Sequence, residues 1–202
     1  MNFIVIVATP DVGSFNHAIA RQAVAFLETA GHDVIFHDLY REPFSPLLAQ
    51  EEIPRDAELD DAVAAYCREL TEADGIVLVH PNWWGQPPAV LKGWIDRVFR
   101  PGTAYEYEGE PGKVGTVTGL LTGKTAVVFT TGDTDEATER DYFRDPLDTL
   151  WKRCIFGFCG IADAVRKHFS IIMISDDAQR KLWLEEVDNT LKAALEQQGK
   201  QE

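Results

Sequence analysis

Short runs of β-branched and aliphatic residues alternate along this 202-residue chain with longer stretches of helical period, and that alternation restricts the possible folds more than any other feature. The runs are residues 3–8 (FIVIVA), 34–37 (VIFH), 76–79 (IVLV), 125–129 (TAVVF) and 169–174 (FSIIMI). Each is continuously apolar, the mark of a strand buried on both faces. Between them, Leu59, Ala62, Val63, Tyr66, Leu70 and Ala73 recur at helical spacing, and similar stripes cover residues 16–30 and 138–158. Leu182, Val187, Leu191 and Leu195 give a closing helix its apolar face. Strands that need cover on both faces, joined by helices, predict an α/β fold: a doubly wound, five-stranded parallel sheet with helices on both faces. No repeat or low-complexity linker interrupts the pattern, so residues 1–202 are read as a single domain. A frayed polar tail is expected after Leu195, and one long irregular insertion at residues 100–121.

Charge narrows the partners. With 19 basic residues against 33 acidic ones the net charge is −14, which repels nucleic acid and anionic membrane surfaces. No apolar run approaches the ~20 residues needed to cross a bilayer. The opening MNFIVIVATPD has no basic segment ahead of a secretory apolar core, so a cytoplasmic protein, not embedded in a membrane, is expected. Cys67, Cys154 and Cys159 are odd in number and lack CxxC spacing, which predicts buried free thiols rather than disulfides or a zinc site.

In an open parallel sheet a ligand sits beyond the carboxyl ends of the strands, where strand order reverses. Three post-strand loops should therefore meet there. Residues 9–16 carry Thr9, Ser14 and Asn16, with Gly13 permitting close backbone approach, ahead of a helix whose free N–H groups suit an anion. The loop lacks both GxGxxG and the lysine of GxxxxGKS, so a phosphate would be held by hydroxyls and backbone; an ordinary Ser14 N-cap is the competing reading. Residues 80–85 place Trp83 and Trp84 between Asn82 and Gly85, an aromatic wall for a flat heteroaromatic ligand or a lid on the core. Thr130, Thr131 and Gly132 add hydroxyl and amide donors. His80 reads as a hydrogen-bonded loop histidine, and His17, His32, His37 and His168 have no metal-site spacing. Asp133, Asp135, Glu136 and Glu139 read as a solvated loop and helix start.

The longest motif is PNWWGQPPAVLKGWIDRVF at residues 81–99, followed by AYEY at 104–107. With the loops above, it resembles the flavodoxin-like NAD(P)H:quinone oxidoreductase family, the DT-diaphorase-like enzymes, over nearly the whole chain. The resemblance implies a sheet of order 2-1-3-4-5 and a tightly bound flavin, FMN or FAD, with NAD(P)H as co-substrate. It assigns Thr9, Ser14, Phe15 and Asn16 to the flavin phosphate and ribityl chain. It sets Pro81, Asn82, Trp83 and Trp84, with Thr130, Thr131 and Gly132, along the ring. Tyr105 and Tyr107 would line the substrate pocket across a homodimer interface, with the apolar stretch at 94–99 facing the partner. The chain departs from the pattern in two places. Asp133 stands where many members have a second glycine. No histidine lies between Thr130 and Arg153, so no catalytic residue carries over and Tyr142 is the candidate stand-in on the substrate side.

The activity implied is two-electron hydride transfer from NAD(P)H to a quinone-like acceptor by a ping-pong mechanism, the flavin carrying the redox chemistry. Two other readings are an ancillary regulatory subunit of a membrane potassium-efflux antiporter and a flavodoxin-type one-electron carrier. The carrier has no use for a substrate pocket bearing Tyr105 and Tyr107.

Overall fold

A computed structural model describes residues 1–109 and 114–199. In chain order the elements are β1 (Asn2–Val7), α1 (Phe15–Thr29), β2 (Asp33–Asp38), α2 (Asp61–Glu72), β3 (Gly75–Pro81) and α3 (Ala89–Val98). Then come β4 (Tyr105–Glu108), β5 (Thr116–Gly119), β6 (Thr125–Thr131), α4 (Pro146–Thr149), β7 (Val165–Phe169) and α5 (Asp177–Gln198). Five strands pair in parallel in the order β2-β1-β3-β6-β7, which is 2-1-3-4-5 counted within this sheet. The fold is flavodoxin-like.

Alternate residues along each inner strand supply two cores. Ile4, Ile6, Ile76, Leu78, Ala126 and Val128 pack with α2, α3 and the helical segment holding Trp151 and Phe156. Phe3, Val5, Val7, Val77, Val79, Val127 and Phe129 pack with α1 and α5. Each fully buried aliphatic or aromatic side chain contributes about 1.5–3 kcal/mol, so the continuous apolar runs are what hold the strands between two helical layers.

The chain between β2 and α2 lies across α3. A Cβ on Gly93 would fall 2.2 Å from the Pro46 carbonyl oxygen, so only glycine admits the crossing. Arg97 fastens it: Nε donates to Glu52 at 2.8 Å, Nη1 donates to the Ser45 carbonyl at 2.7 Å, and Nη2 also pairs with Asp60.

Several expectations need correction. The fifth strand is Val165–Phe169, polar on its exposed margin, and not residues 169–174. Ile171 turns the chain out of the sheet with φ 58°, and Ile172–Ile174 form a 3-10 turn with Met173 and Ile174 exposed. β2 is an edge strand with Ile35 and Phe36 exposed, because the helices centre on the inner strands. Residues 138–158 are not one helix. Arg144 and Asp145 have positive φ, and π-helical turns at Thr138–Tyr142 and Leu150–Gly157 flank α4. The 100–121 insertion contains the antiparallel pair β4–β5; Glu110 to Lys113 lie outside the described residues.

Trp94, Ile95, Val98 and Phe99 are buried in the chain's own core, so they do not face a partner. Leu182 is exposed, and Val187, Leu191 and Ala194 form the buried face of α5, which runs on to Gln198; residues 200–202 lie outside the described residues. Cys67 and Cys159 are buried as free thiols and burial pushes Cys159 up to about 11, whereas Cys154 is exposed. Among the described residues no helix is long and apolar enough to cross a membrane.

Candidate functional site

The loops after β1, β3 and β6 open on one edge of the sheet, beside the switch point between β1 and β3. Thr131 ties all three together. Its hydroxyl pairs with the Asn16 amide at 2.9 Å, and its carbonyl accepts from the Asn82 N–H at 2.6 Å. Asn16 and Thr131, both expected on a ligand, are buried and spend their side chains on each other.

In the first loop Thr9 is buried, and Asp11 folds back so that Oδ1 accepts from the Gly13 N–H at 2.9 Å. Ser14 is the N-cap of α1, yet its hydroxyl makes no capping bond to a helix backbone N–H, and the first turn holds no acidic residue. The positive end of α1 and its free N–H groups are thus left to an external acceptor. Ser14 Oγ lies 3.4 Å from His17 Nδ1, whose Nε2 is 2.9 Å from Asp38. Phe15 is buried against Phe169 and Trp183, a packing role.

The second loop starts from His80, which is fully buried. Trp151 Nε1 donates to His80 Nε2 at 3.1 Å, leaving Nδ1–H to donate to the Pro81 carbonyl at 2.8 Å. Burial pushes the ring down to about 4, so it is neutral and fixes the peptide that enters the loop. The bland reading of this histidine holds. Asn82 Oδ1 accepts from the Gly85 N–H at 3.0 Å, and Trp84 and Gly85 both have positive φ, 58° and 70°. A left-handed tryptophan costs roughly 1–2 kcal/mol, and the turn spends it on presentation: Trp84 is fully exposed and Trp83 is 43% exposed. Neither indole lids the core.

In the third loop Thr130 Oγ is 2.9 Å from His168 Nδ1. The His168 Nε2 is buried without a hydrogen-bond partner, and burial, with Arg166 nearby, holds the ring at about 4. Gly132 donates to the Phe169 carbonyl and accepts from the Ile172 N–H. Asp133, the departure from the family pattern, accepts from the Met173 N–H at 2.7 Å, which commits its carboxylate to the segment after β7.

A cavity of about 430 Å³ lies between the second loop (Asn82, Trp84, Gly85) and the segment carrying Thr134, Glu139, Phe143 and Pro146. Tyr142 is not in its lining and is 79% exposed. Tyr105 packs on Phe158, and Tyr107 is exposed on β4; both are outside this lining. Glu139 is the residue that sequence reading misplaced. Asp133, Asp135 and Glu136 are solvated as expected, but Glu139 is only 7% exposed, with Asn82 Nδ2 donating to it at 3.0 Å. Burial raises its carboxyl above the ordinary range, Asp145 adds to the rise, and Arg166 opposes it.

A family model described as flavodoxin-like fold matches residues 1–191. An uncharacterized NAD(P)H oxidoreductase of Haemophilus influenzae is 33% identical over 195 residues, 92% of this chain and 91% of that protein. An FMN-dependent NADH:quinone oxidoreductase of Cereibacter sphaeroides is 41% identical over 115 residues, 56% of this chain and 50% of that protein. Among solved structures, the NAD(P)H:quinone oxidoreductase from Methanothermobacter marburgensis superposes with a TM-score of 0.77 at 25% identity, over 94% of this chain and 93% of that one.

Proposed function

The chain belongs to the family with the flavodoxin-like fold, and from that premise we propose that it is a flavin-dependent NAD(P)H:quinone oxidoreductase of the cytoplasm. The observation that carries this reading is the joining of three post-strand loops through Thr131 beside a cavity walled by an exposed indole. The residues fit the cofactor: an uncapped helix start without acids suits the phosphate, and Trp83 and Trp84 suit the ring. FMN is the form proposed, since the Cereibacter sphaeroides relative carries it in its name.

Ser14 and the first amides of α1 bind the phosphate, Pro81 to Trp84 and Thr130 to Gly132 frame the ring, and Asn16 and Thr131 hold the two loops in register. A flavin held there would supply the two-electron redox chemistry between NAD(P)H and the acceptor. Nicotinamide and quinone use the same cavity in turn, which makes the kinetics ping-pong. Tyr105 and Tyr107 reach a pocket through a two-fold partner, since they lie outside the lining within one chain.

Purified protein should carry flavin absorbance and oxidise NAD(P)H in a quinone-dependent manner, with parallel double-reciprocal lines. A chain that binds neither FMN nor FAD after reconstitution overturns the reading. Flavin binding without this activity would turn it toward a regulatory subunit.

A further inference from the structure

The reaction proposed above leaves one requirement that none of the residues carried over from the family meets. Converting a quinone to a hydroquinone takes a hydride and a proton, and the overall change is NAD(P)H + H⁺ + quinone → NAD(P)⁺ + hydroquinone. The hydride originates in NAD(P)H and the proton in the medium, and a positioned acid that passes this proton on as negative charge develops on the quinone oxygen speeds the step. Tyr142, the sequence candidate, points its phenol to solvent outside the cavity.

We propose that the carboxyl of Glu139, which lines the cavity beside the Asn82–Gly85 turn, is the catalytic acid that donates this proton to the acceptor oxygen. The proposal rests on the reading of the cavity as the acceptor site. Its geometry is specific to one carboxyl: of the four acids between Asp133 and Glu139, this one alone is buried and lines the cavity. Its O–H bond breaks as the acceptor O–H bond forms, and the carboxylate left behind is reprotonated from solvent.

Every charged or polar group facing Glu139 suits a group that must hold a proton and then release it. Burial and the charges of Asp145 and Asp135 favour the neutral acid. The charge of Arg166 and the Thr134 hydroxyl favour the anion. Asn82 Nδ2–H at 3.0 Å holds one carboxyl oxygen as an acceptor, orienting the side chain. Arg166 is itself restrained by Asp145 at 2.6 Å, so its field is fixed rather than free to neutralise Glu139 outright. The Asn82 side chain therefore joins the aromatic turn to the acid directly, its oxygen closing the turn and its amide N–H holding the carboxyl.

Glu139→Gln tests this, because it keeps shape and the acceptor for Asn82 but has no acidic proton. With a benzoquinone the variant should lose about 100-fold in turnover, and the limb of the pH–rate profile set by Glu139 should vanish. With ferricyanide, which takes electrons without a proton, its rate should stay within about threefold of wild type. Glu139→Asp should recover part of the quinone rate. A readout free of turnover is infrared titration of the flavin-loaded protein: wild type should show a protonated carboxyl band persisting above the ordinary glutamate range, absent from Glu139→Gln. Equal slowing with both acceptors, unimpaired quinone turnover, or the lack of that band would each overturn the assignment of Glu139. A wild-type protein with bound flavin and no quinone activity overturns the underlying reading instead, whatever the infrared result.

Discussion

At the scale of single residues, the site separates groups that present from groups that hold. Ser14 presents, because its hydroxyl caps no backbone N–H and meets only the His17 ring at 3.4 Å, whereas Asn16 holds Thr131. Ser14→Ala should weaken FMN by about 2 kcal/mol, roughly 30-fold in a fluorescence titration, with no loss of thermal stability. Asn16→Ala should lower both, since it leaves buried Thr131 Oγ1 without the Asn16 amide. Unchanged flavin affinity in Ser14→Ala would move the phosphate elsewhere. His80 carries a pH signature. Its folded value near 4 lies below the ordinary histidine value of 6.5, so its contribution is intact above about pH 6.5 and is lost as pH falls toward 4. Between those limits the group should cost about 3 kcal/mol of folding stability. Urea midpoints against pH should therefore be flatter in His80→Gln than in wild type, even though the variant starts less stable. That the loops carrying Ser14, Trp83, Trp84 and Thr131 meet at one edge was legible in sequence because post-strand position follows from strand order, but the pairing of Thr131 with Asn16 was not. Glu139 was not, because Asp135 and Glu136 look the same on paper, and only the Asn82 turn, 57 residues away, distinguishes it.

At the scale of elements, the inner strands were legible and the margins were not. Residues 76–79 and 126–129 are apolar throughout and fully buried, so composition decides their place. Val165–Phe169 carries Arg166, Lys167 and His168, and reads as a poor strand beside the more apolar FSIIMI; β6 nonetheless pairs with it from Val127 to Thr131, and Ile171 turns the chain away beyond it. The residues at 138–158 kept helical period while Asp145, left-handed and N-capping α4 through its own side chain, broke the helix. The crossing of the β2–α2 segment over α3 makes a further prediction. Gly93→Ala should destabilise strongly, because the methyl would meet Pro46 backbone that cannot move without loosening Arg97. Arg97→Ala should cost about 3 kcal/mol by stranding the largely buried Glu52, while half-exposed Asp60 turns to water, and limited proteolysis should then cut within residues 45–60. Resistance to cleavage there would show that the segment is held by other contacts.

At the scale of the whole molecule, Leu47, Leu48 and Ile53 on the β2–α2 segment and Tyr107 and Val117 on the two-stranded sheet are exposed apolar side chains, and Arg55 joins the two regions through Glu106 at 2.6 Å. A second copy seated there would bring Tyr107 toward a neighbouring cavity, and sedimentation at micromolar concentration should show a species near twice the 22.6 kDa of the chain. A monomer at that concentration would leave Tyr105 and Tyr107 without a substrate role.

The bond between Asn16 and Thr131 spans 115 positions of sequence, and the Asp133 bond to Met173 adds another 40. A chain emerging from the ribosome completes its first loop early and cannot use it until nearly the last strand has been made. With the flavin held at these loops as proposed, its capture should come late in biogenesis, after the distant strands have closed. On refolding with FMN present, flavin quenching should trail the recovery of helical circular dichroism, with the lag set by closure of the distant strands.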